Sequence, residues 1–287
     1  MLGGGSWYYL LDGVASVISG YLFVMNNYIP MFICLGFVVI STILSLGFRD
    51  VYEVKPKQNQ KKEKILKEYG KDLKSSFKFI FKSKRMKSYI LFQVVFYSLI
   101  KIIEIYQSDL LVDIGMPEEE FSMIFAVLIL IGGISITLKR KIEKKFKNRT
   151  LAFLSIAYIL ATIMVGTVSS INPTKMIVPI ILIMYAIQNI SKSIWFILEA
   201  KYLRNFTNEK TRNKITFSYE VIGGIAASIA SILAGLMLKV VSIENAFLII
   251  GLISLIGMIL VLDYMRTRFG LRPNQYSKED IEFEIEK

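Results

Sequence analysis

Residues 121–138, Phe121-Ser122-Met123-Ile124-Phe125-Ala126-Val127-Leu128-Ile129-Leu130-Ile131-Gly132-Gly133-Ile134-Ser135-Ile136-Thr137-Leu138, carry no charge at all. The connector that follows, Lys139-Arg140-Lys141-Ile142-Glu143-Lys144-Lys145-Phe146-Lys147-Asn148-Arg149, carries seven basic side chains. A soluble helix spreads its charges along one face; here they vanish for a hydrocarbon thickness and then crowd together. A helix needs about 20 consecutive apolar residues to cross a bilayer core, so the pair reads as one membrane span and its loop.

The same alternation runs along the chain. Apolar runs near 7–25, 28–48, 88–112, 120–138, 150–170, 176–199, 215–238 and 243–264 give an expected all-α integral membrane fold with eight transmembrane helices. Asn26–Pro30 is a short turn that makes the first two spans a hairpin. Of the 35 Lys and Arg residues, fourteen lie in 49–87, seven in 139–149, five in 201–214 and five in 266–287. The opposite loops hold only Lys175 and Lys239, and Lys101 and Lys192 fall inside spans. Basic loops stay on the cytoplasmic side, so the expectation is a multi-pass cell-membrane protein with both termini cytoplasmic. An odd number of spans would spoil the alternation.

Composition removes several functions. The net charge of +12 sits beside apolar spans, where cytoplasmic loops belong, so no nucleic-acid partner is expected. The chain has no His and a single Cys, Cys34. A Cys/His metal site cannot be built from these, and the usual general base of membrane hydrolases is missing. No cofactor is expected, and no catalytic grouping points to an enzyme.

The connector 49–87 divides in two. Lys55–Lys64 is polar and flexible in character. Ile65 to Lys87 reads as a helix with Leu66, Leu73, Phe77 and Ile80 on one side and lysines elsewhere, suited to lying on an anionic leaflet. The tail after Gly270 is acidic.

Three connectors carry a family likeness. The basic loop 138–149 resembles the glycine–acid–basic loop of the major facilitator superfamily, repeated between its helices eight and nine. Glu143 stands at the acid position, with Lys144 or Lys145 and Arg149 at basic ones. The sequence lacks the motif's internal glycine, Lys147 standing near that place. Glu209-Lys210-Thr211-Arg212-Asn213-Lys214-Ile215-Thr216-Phe217-Ser218 looks like the charged entry into helix eleven. Asp113-Ile114-Gly115-Met116-Pro117-Glu118-Glu119-Glu120-Phe121 is similar to the short outer loop between helices seven and eight.

This resemblance implies helices five to twelve of a twelve-helix, two-bundle fold. Residues 1–48 would be the last two helices of the N-terminal half and 49–87 the central loop with its surface helix. Residues 88–265 would be the complete C-terminal half and 266–287 a cytoplasmic tail. The chain would then be an N-terminally truncated fragment whose partners are the missing helices, the lipid bilayer and a small-molecule solute. Alone it would not be expected to transport.

Ionisable groups in hydrocarbon are costly and usually face a cavity or a partner. Gln93, Tyr97, Lys101, Glu104 and Ser108 follow at steps of four, four, three and four, which keeps them on one helical face. Gln188, Lys192, Trp195 and Glu199 do the same in the sixth span, with Asn189 adjacent. An intrahelical Lys101–Glu104 pair that merely permits insertion is the plain alternative, and Lys192 and Glu199 can snorkel toward the cytoplasmic end. A Lys192–Glu104 bridge is not expected, because helical rise places Lys192 more than two turns nearer the cytoplasm. Asp12 and Glu220 read as interfacial.

Gly223, Ala227, Ser231 and Gly235 recur every four residues, a stripe of small side chains for close helix packing. Gly13, Ser16 and Gly20 are similar, as is Gly132-Gly133. In the family, helices five and eight, and two and eleven, meet across the halves, so the missing helix two would be one partner of the Gly223–Gly235 stripe; ordinary packing within one half is the alternative.

The resemblance implies secondary active transport of a small solute by alternating access, as symport or antiport, with proton coupling and efflux as the leading expectations. Gln93, Tyr97, Lys101, Glu104, Gln188, Asn189 and Trp195 would line the solute site. Glu104 would be the coupling carboxylate, since burial favours the neutral form of an acid. The alternative is a non-transporting membrane scaffold or regulatory subunit.

Overall fold

The computed structural model describes residues 4–26, 28–45, 47, 62–171, 175–207 and 212–268. The Lys55–Lys61 part of the polar connector, the first residues of the charged entry at 209–211 and the tail beyond 268 lie outside these, as do the side chains of Asp12, Leu66 and Leu73.

Every described element is helical. Ten α-helices follow one another: α1 (Gly4–Met25), α2 (Ile29–Ser45), α3 (Lys62–Lys82), α4 (Lys84–Asp113), α5 (Phe121–Ser135), α6 (Lys139–Phe146), α7 (Thr150–Ile171), α8 (Val178–Phe206), α9 (Arg212–Met237) and α10 (Ile243–Arg268). Six helical segments, beginning at Lys84, Phe121, Thr150, Val178, Arg212 and Ile243, are long and apolar enough to cross a membrane. The apolar parts of α1 and α2, Gly13–Phe23 and Ile29–Ser45, are shorter. At 17 residues, α2 reaches about 25 Å, just under the roughly 30 Å of a hydrocarbon core. Helix length therefore supports six spans where the apolar runs predict eight.

The helix expected over 65–87 is two helices. Ser83 leaves the helical region at φ −68°, ψ 119°, and its hydroxyl accepts the Met86 amide, an N-cap that starts α4 four residues before the predicted span. The lower part of α3 does not lie free. Ile80 and Ser76 are fully buried and the helix packs on α4 and α9, so part of its apolar side is spent on protein rather than on lipid.

α4 is the most enclosed span, packed by α8, α9 and α10. Its Tyr89, Phe92 and Phe96 join Trp195, Tyr185 and Tyr219 as the bulkiest fully buried side chains. α7 and α10 cross closely through a reciprocal pair of glycines: a β-carbon on Gly166 would strike the Leu248 backbone, and one on Gly251 would strike Ile163. With no hydrophobic force between helices in lipid, such close backbone approach is what holds them. α1 packs on α5, where Gly13 lies against Leu130 and Gly20 against Ser122.

Candidate functional site

The two long polar-faced helices, α4 and α8, meet at a three-residue charge cluster. Lys101 Nζ lies 2.7 Å from Glu104 Oε2, one turn away on α4. Lys192 Nζ reaches across from α8 to Glu104 Oε1 at 2.9 Å. One carboxylate thus holds two ammonium groups, and the cluster carries a net charge of +1 when all three are ionised. It is not sealed: the three side chains keep 39%, 30% and 19% of their surface for Lys101, Glu104 and Lys192. Tyr97 presents its ring 5.5 Å from the Lys101 ammonium and meets Phe196 of α8 edge-on.

The bridge between Lys192 and Glu104 corrects the depth argument. That argument ended the sixth span at 199, but α8 continues to Phe206. The added turns carry the helix end about 10 Å further, which puts Lys192 near the middle of α8. A flexible four-carbon stem covers the offset that remains.

The other predicted site residues split between this half-open cluster and the core. Asn189 is partly exposed, and its amide donates to the Tyr185 carbonyl within α8. Gln188 is buried, donating to Thr162 Oγ1 on α7 at 2.9 Å. Trp195 is wholly buried among Phe92, Phe96 and Phe196. Gln93 is buried against Gly223, and its Oε1 has no hydrogen-bond partner among the described residues. Helical spacing put Gln93 on the polar face of α4 and Gln188 and Trp195 on that of α8, with Asn189 beside it; side-chain reach and neighbour identity separate them.

Toward the end that bears the basic connectors lies a second polar centre. Glu199 does not snorkel: it is buried, and Tyr219 donates to its Oε1 at 2.7 Å. Tyr89 donates to the Glu199 backbone carbonyl and stacks on Tyr219 with ring centres 5.6 Å apart. Among the described residues no Lys or Arg nitrogen lies within 4 Å of this carboxylate, whereas Glu104 has two. Glu199 and Gln93 line a pocket of about 280 Å³ together with Arg204, Arg212, Tyr219 and Glu220. The sequence reading missed Tyr89 and Tyr219. Their signal was available: each stands four residues before a residue it did single out, Gln93 and Gly223.

The small-residue stripe of α9 packs mainly on α4 in the described structure. A β-carbon on Gly223 would meet the Gln93 amide, and one on Gly235 the Tyr106 hydroxyl, which itself donates to the Ser231 carbonyl. Ala227 is buried on the same side. The stripe thus serves packing on α4, one of the two kinds of partner its spacing left open.

In the loop after α5, Glu143 pairs with Lys201 near the end of α8, while Lys144 and Arg149 are exposed. Lys147 adopts φ 48°, ψ −125°, and among the described residues no other non-glycine has positive φ. The tight turn forms at the place where the sequence offers no glycine, and the lysine bears the strain. Away from the basic connectors a wider groove of about 1530 Å³ runs between α1, α2 and the ends of α4 and α5, with Ser108 and Asp109 on its wall.

Long apolar helices, a charge cluster half-buried among them and basic connectors define a multi-pass membrane protein. The Major Facilitator Superfamily model matches residues 6–202. The chain belongs to that superfamily, whose members are membrane transporters that bind small-molecule solutes. A search of curated proteins finds no match.

Proposed function

We propose that the chain forms the greater part of a secondary active transporter that moves a small solute by alternating access. Its solute centre would be the Lys101–Glu104–Lys192 cluster with Tyr97, Phe196 and Asn189. The observation that carries this reading is the Lys192–Glu104 bridge: it ties α4 to α8 through charges that stay partly open rather than sealed. Two lysines against one carboxylate favour a solute with an anionic group, and the Tyr97 and Phe196 rings favour an apolar or aromatic body beside it. Gln93, Gln188 and Trp195 would act from behind, fixing the helices that present the charges.

Eight spans, cytoplasmic termini and correspondence to helices five to twelve belong to the same proposal. On it, 1–48 ends the first half, 49–87 joins the halves, 88–265 is the second half and 266–287 a tail. Support comes from the packing of α1 on α5, the contact expected of helices five and eight, and from the one-sided placement of Lys and Arg. The Glu143–Lys201 pair would latch the basic loop to α8, with Lys144 and Arg149 facing solvent or lipid headgroups. Efflux is the direction we favour.

The test is a solute panel read by thermal stabilisation of the purified protein: organic anions, zwitterions, organic cations and neutral sugars. Organic anions should stabilise the protein, and Lys192→Ala should remove the effect. Stabilisation by sugars or cations alone, or an effect unchanged in Lys192→Ala, would overturn the assignment of the site.

A further inference from the structure

The second polar centre is left without a task by the solute site. Glu104, clamped by two ammonium groups, has no free oxygen to give to a proton without breaking an ion pair. Glu199 is arranged in the opposite way. Tyr219 occupies Oε1, and Oε2 has no hydrogen bond among the described residues. The carboxylate is at least nine-tenths buried, yet it lines a pocket whose remaining wall is made of the charged ends of α8 and α9. Gln93 adds a second buried acceptor, its orphan Oε1, to the same pocket. Arg212 lines the same pocket with a buried Nε–H that is likewise unpartnered among the described residues. No Lys or Arg nitrogen lies within 4 Å of the Glu199 carboxylate among those residues, so a proton is the smallest species that satisfies its open oxygen. A pocket of about 280 Å³ reaching helix ends gives that species a way in and out.

We infer that Glu199, rather than Glu104, binds the coupling ion, and that this ion is a proton taken up on Oε2. The inference rests on the transporter reading only for the word coupling; proton binding itself does not depend on it. In the loaded state Oε2–H is a donor that can meet water in the pocket or the Gln93 carbonyl oxygen. On release the proton returns to pocket water, and the carboxylate keeps the Tyr219 hydroxyl as its remaining donor. The titratable and charged groups around it are Tyr89 on α4, Tyr202 and Arg204 on α8, and Arg212, Tyr219 and Glu220 on α9. Solute and proton would then occupy two centres on the same pair of helices. Glu199 lies seven residues beyond Lys192 on α8, about 10 Å along the axis.

Infrared titration of the purified chain in neutral-lipid bilayers reads this directly, through the carbonyl stretch of a protonated carboxyl group. A band that appears on acidification, is lost in Glu199→Gln and is kept in Glu104→Gln is the expected result. A band kept in Glu199→Gln, or lost in Glu104→Gln, overturns the inference. So does a band that Na⁺ but not K⁺ abolishes at constant pH, which would make the ion sodium. Should Glu199→Gln fail to fold, Tyr219→Phe keeps the acid and removes a donor to its charged form. The midpoint should then move to higher pH, and an unmoved midpoint counts against the assignment. None of these measurements needs transport, so their failure would leave the solute panel to decide the transporter reading separately.

Discussion

Two acids lie in the polar faces between α4, α8 and α9, and they are kept there by different means. Glu104 has cations: one from its own helix and one from α8, in a setting that retains about a third of its surface. Glu199 has the Tyr219 hydroxyl as its side-chain donor, beside the paired rings of Tyr89 and Tyr219, and no Lys or Arg nitrogen within 4 Å among the described residues, though Arg204 and Arg212 line its pocket. Coulombic compensation tolerates partial opening, because each charge stays paired if water enters. Compensation by a single hydroxyl donor does not cancel a charge; it only softens the cost of having one. The first arrangement therefore suits a centre that must stay ionised while a solute comes and goes. The second suits one whose charge changes.

The largest test of this contrast is a pair of isosteric substitutions. Glu104→Gln leaves two ammonium groups facing each other without an anion, and should cost about 2–3 kcal/mol, less than the roughly 3–5 of a fully buried pair because the site is partly open. Glu199→Gln removes a charge that has no cation and keeps an oxygen for Tyr219, and should stay within about 1 kcal/mol of the parent. Thermal unfolding in detergent compares them directly. Equal losses would erase the distinction between the centres.

Gly223 offers a way to disturb one centre without touching the other. It has no side chain because the Gln93 amide occupies the space beside it. Gly223→Leu should overpack that contact, cost about 2 kcal/mol and disorder the Glu199 pocket. The anion response attributed to Lys101 and Lys192 should survive among the molecules that fold. Loss of both responses together would mean that the two centres are one.

A smaller effect separates the tyrosines. Tyr219→Phe deletes the donor to Glu199 and should cost about 1 kcal/mol. Tyr97→Phe keeps its ring beside Lys101 and Phe196 and should change stability by less than about 0.5 kcal/mol. Circular dichroism melts of the two variants side by side provide the comparison. A larger loss in Tyr97→Phe would point to a hydroxyl partner at the open cluster.

Much of this architecture is legible in the residues, and the reasons for what is not are specific. Hydrocarbon-length apolar runs locate α4, α5 and α7 to α10 because backbone bonding in lipid leaves few choices. The polar faces of α4 and α8 follow from steps of three and four. Helix ends do not follow so well: a span stops being apolar before it stops being helical, and α8 runs on to Phe206 through Lys201 and Arg204. That single misplacement hid the Lys192–Glu104 bridge. The buried role of Glu199 was hidden for another reason. An acid near a span end looks like a snorkelling residue unless its neighbours on other helices are known, and Tyr89 and Tyr219 are 110 and 20 residues away in the chain. The close approach at Gly166 and Gly251 was hidden too, because a lone glycine does not say which helix comes near it.

The smallest predicted effect doubles as a control on the whole comparison. Lys147 holds a left-handed backbone without being glycine, so Lys147→Gly relieves strain while adding freedom to the unfolded chain; the balance should be a gain of about 0.5 kcal/mol. The substituted position touches neither acid. It is joined to them only through the loop: Glu143, four residues earlier, pairs with Lys201, and α8 carries both Lys192 and Glu199. Changes at independent sites add. The gain from Lys147→Gly should therefore be the same in the parent, in Glu104→Gln and in Glu199→Gln. If the gain grows or vanishes only in Glu199→Gln, the loop is coupled to the second centre through the end of α8. The Glu143–Lys201 pair would then be the place where a change in the charge of Glu199 is felt at the membrane surface.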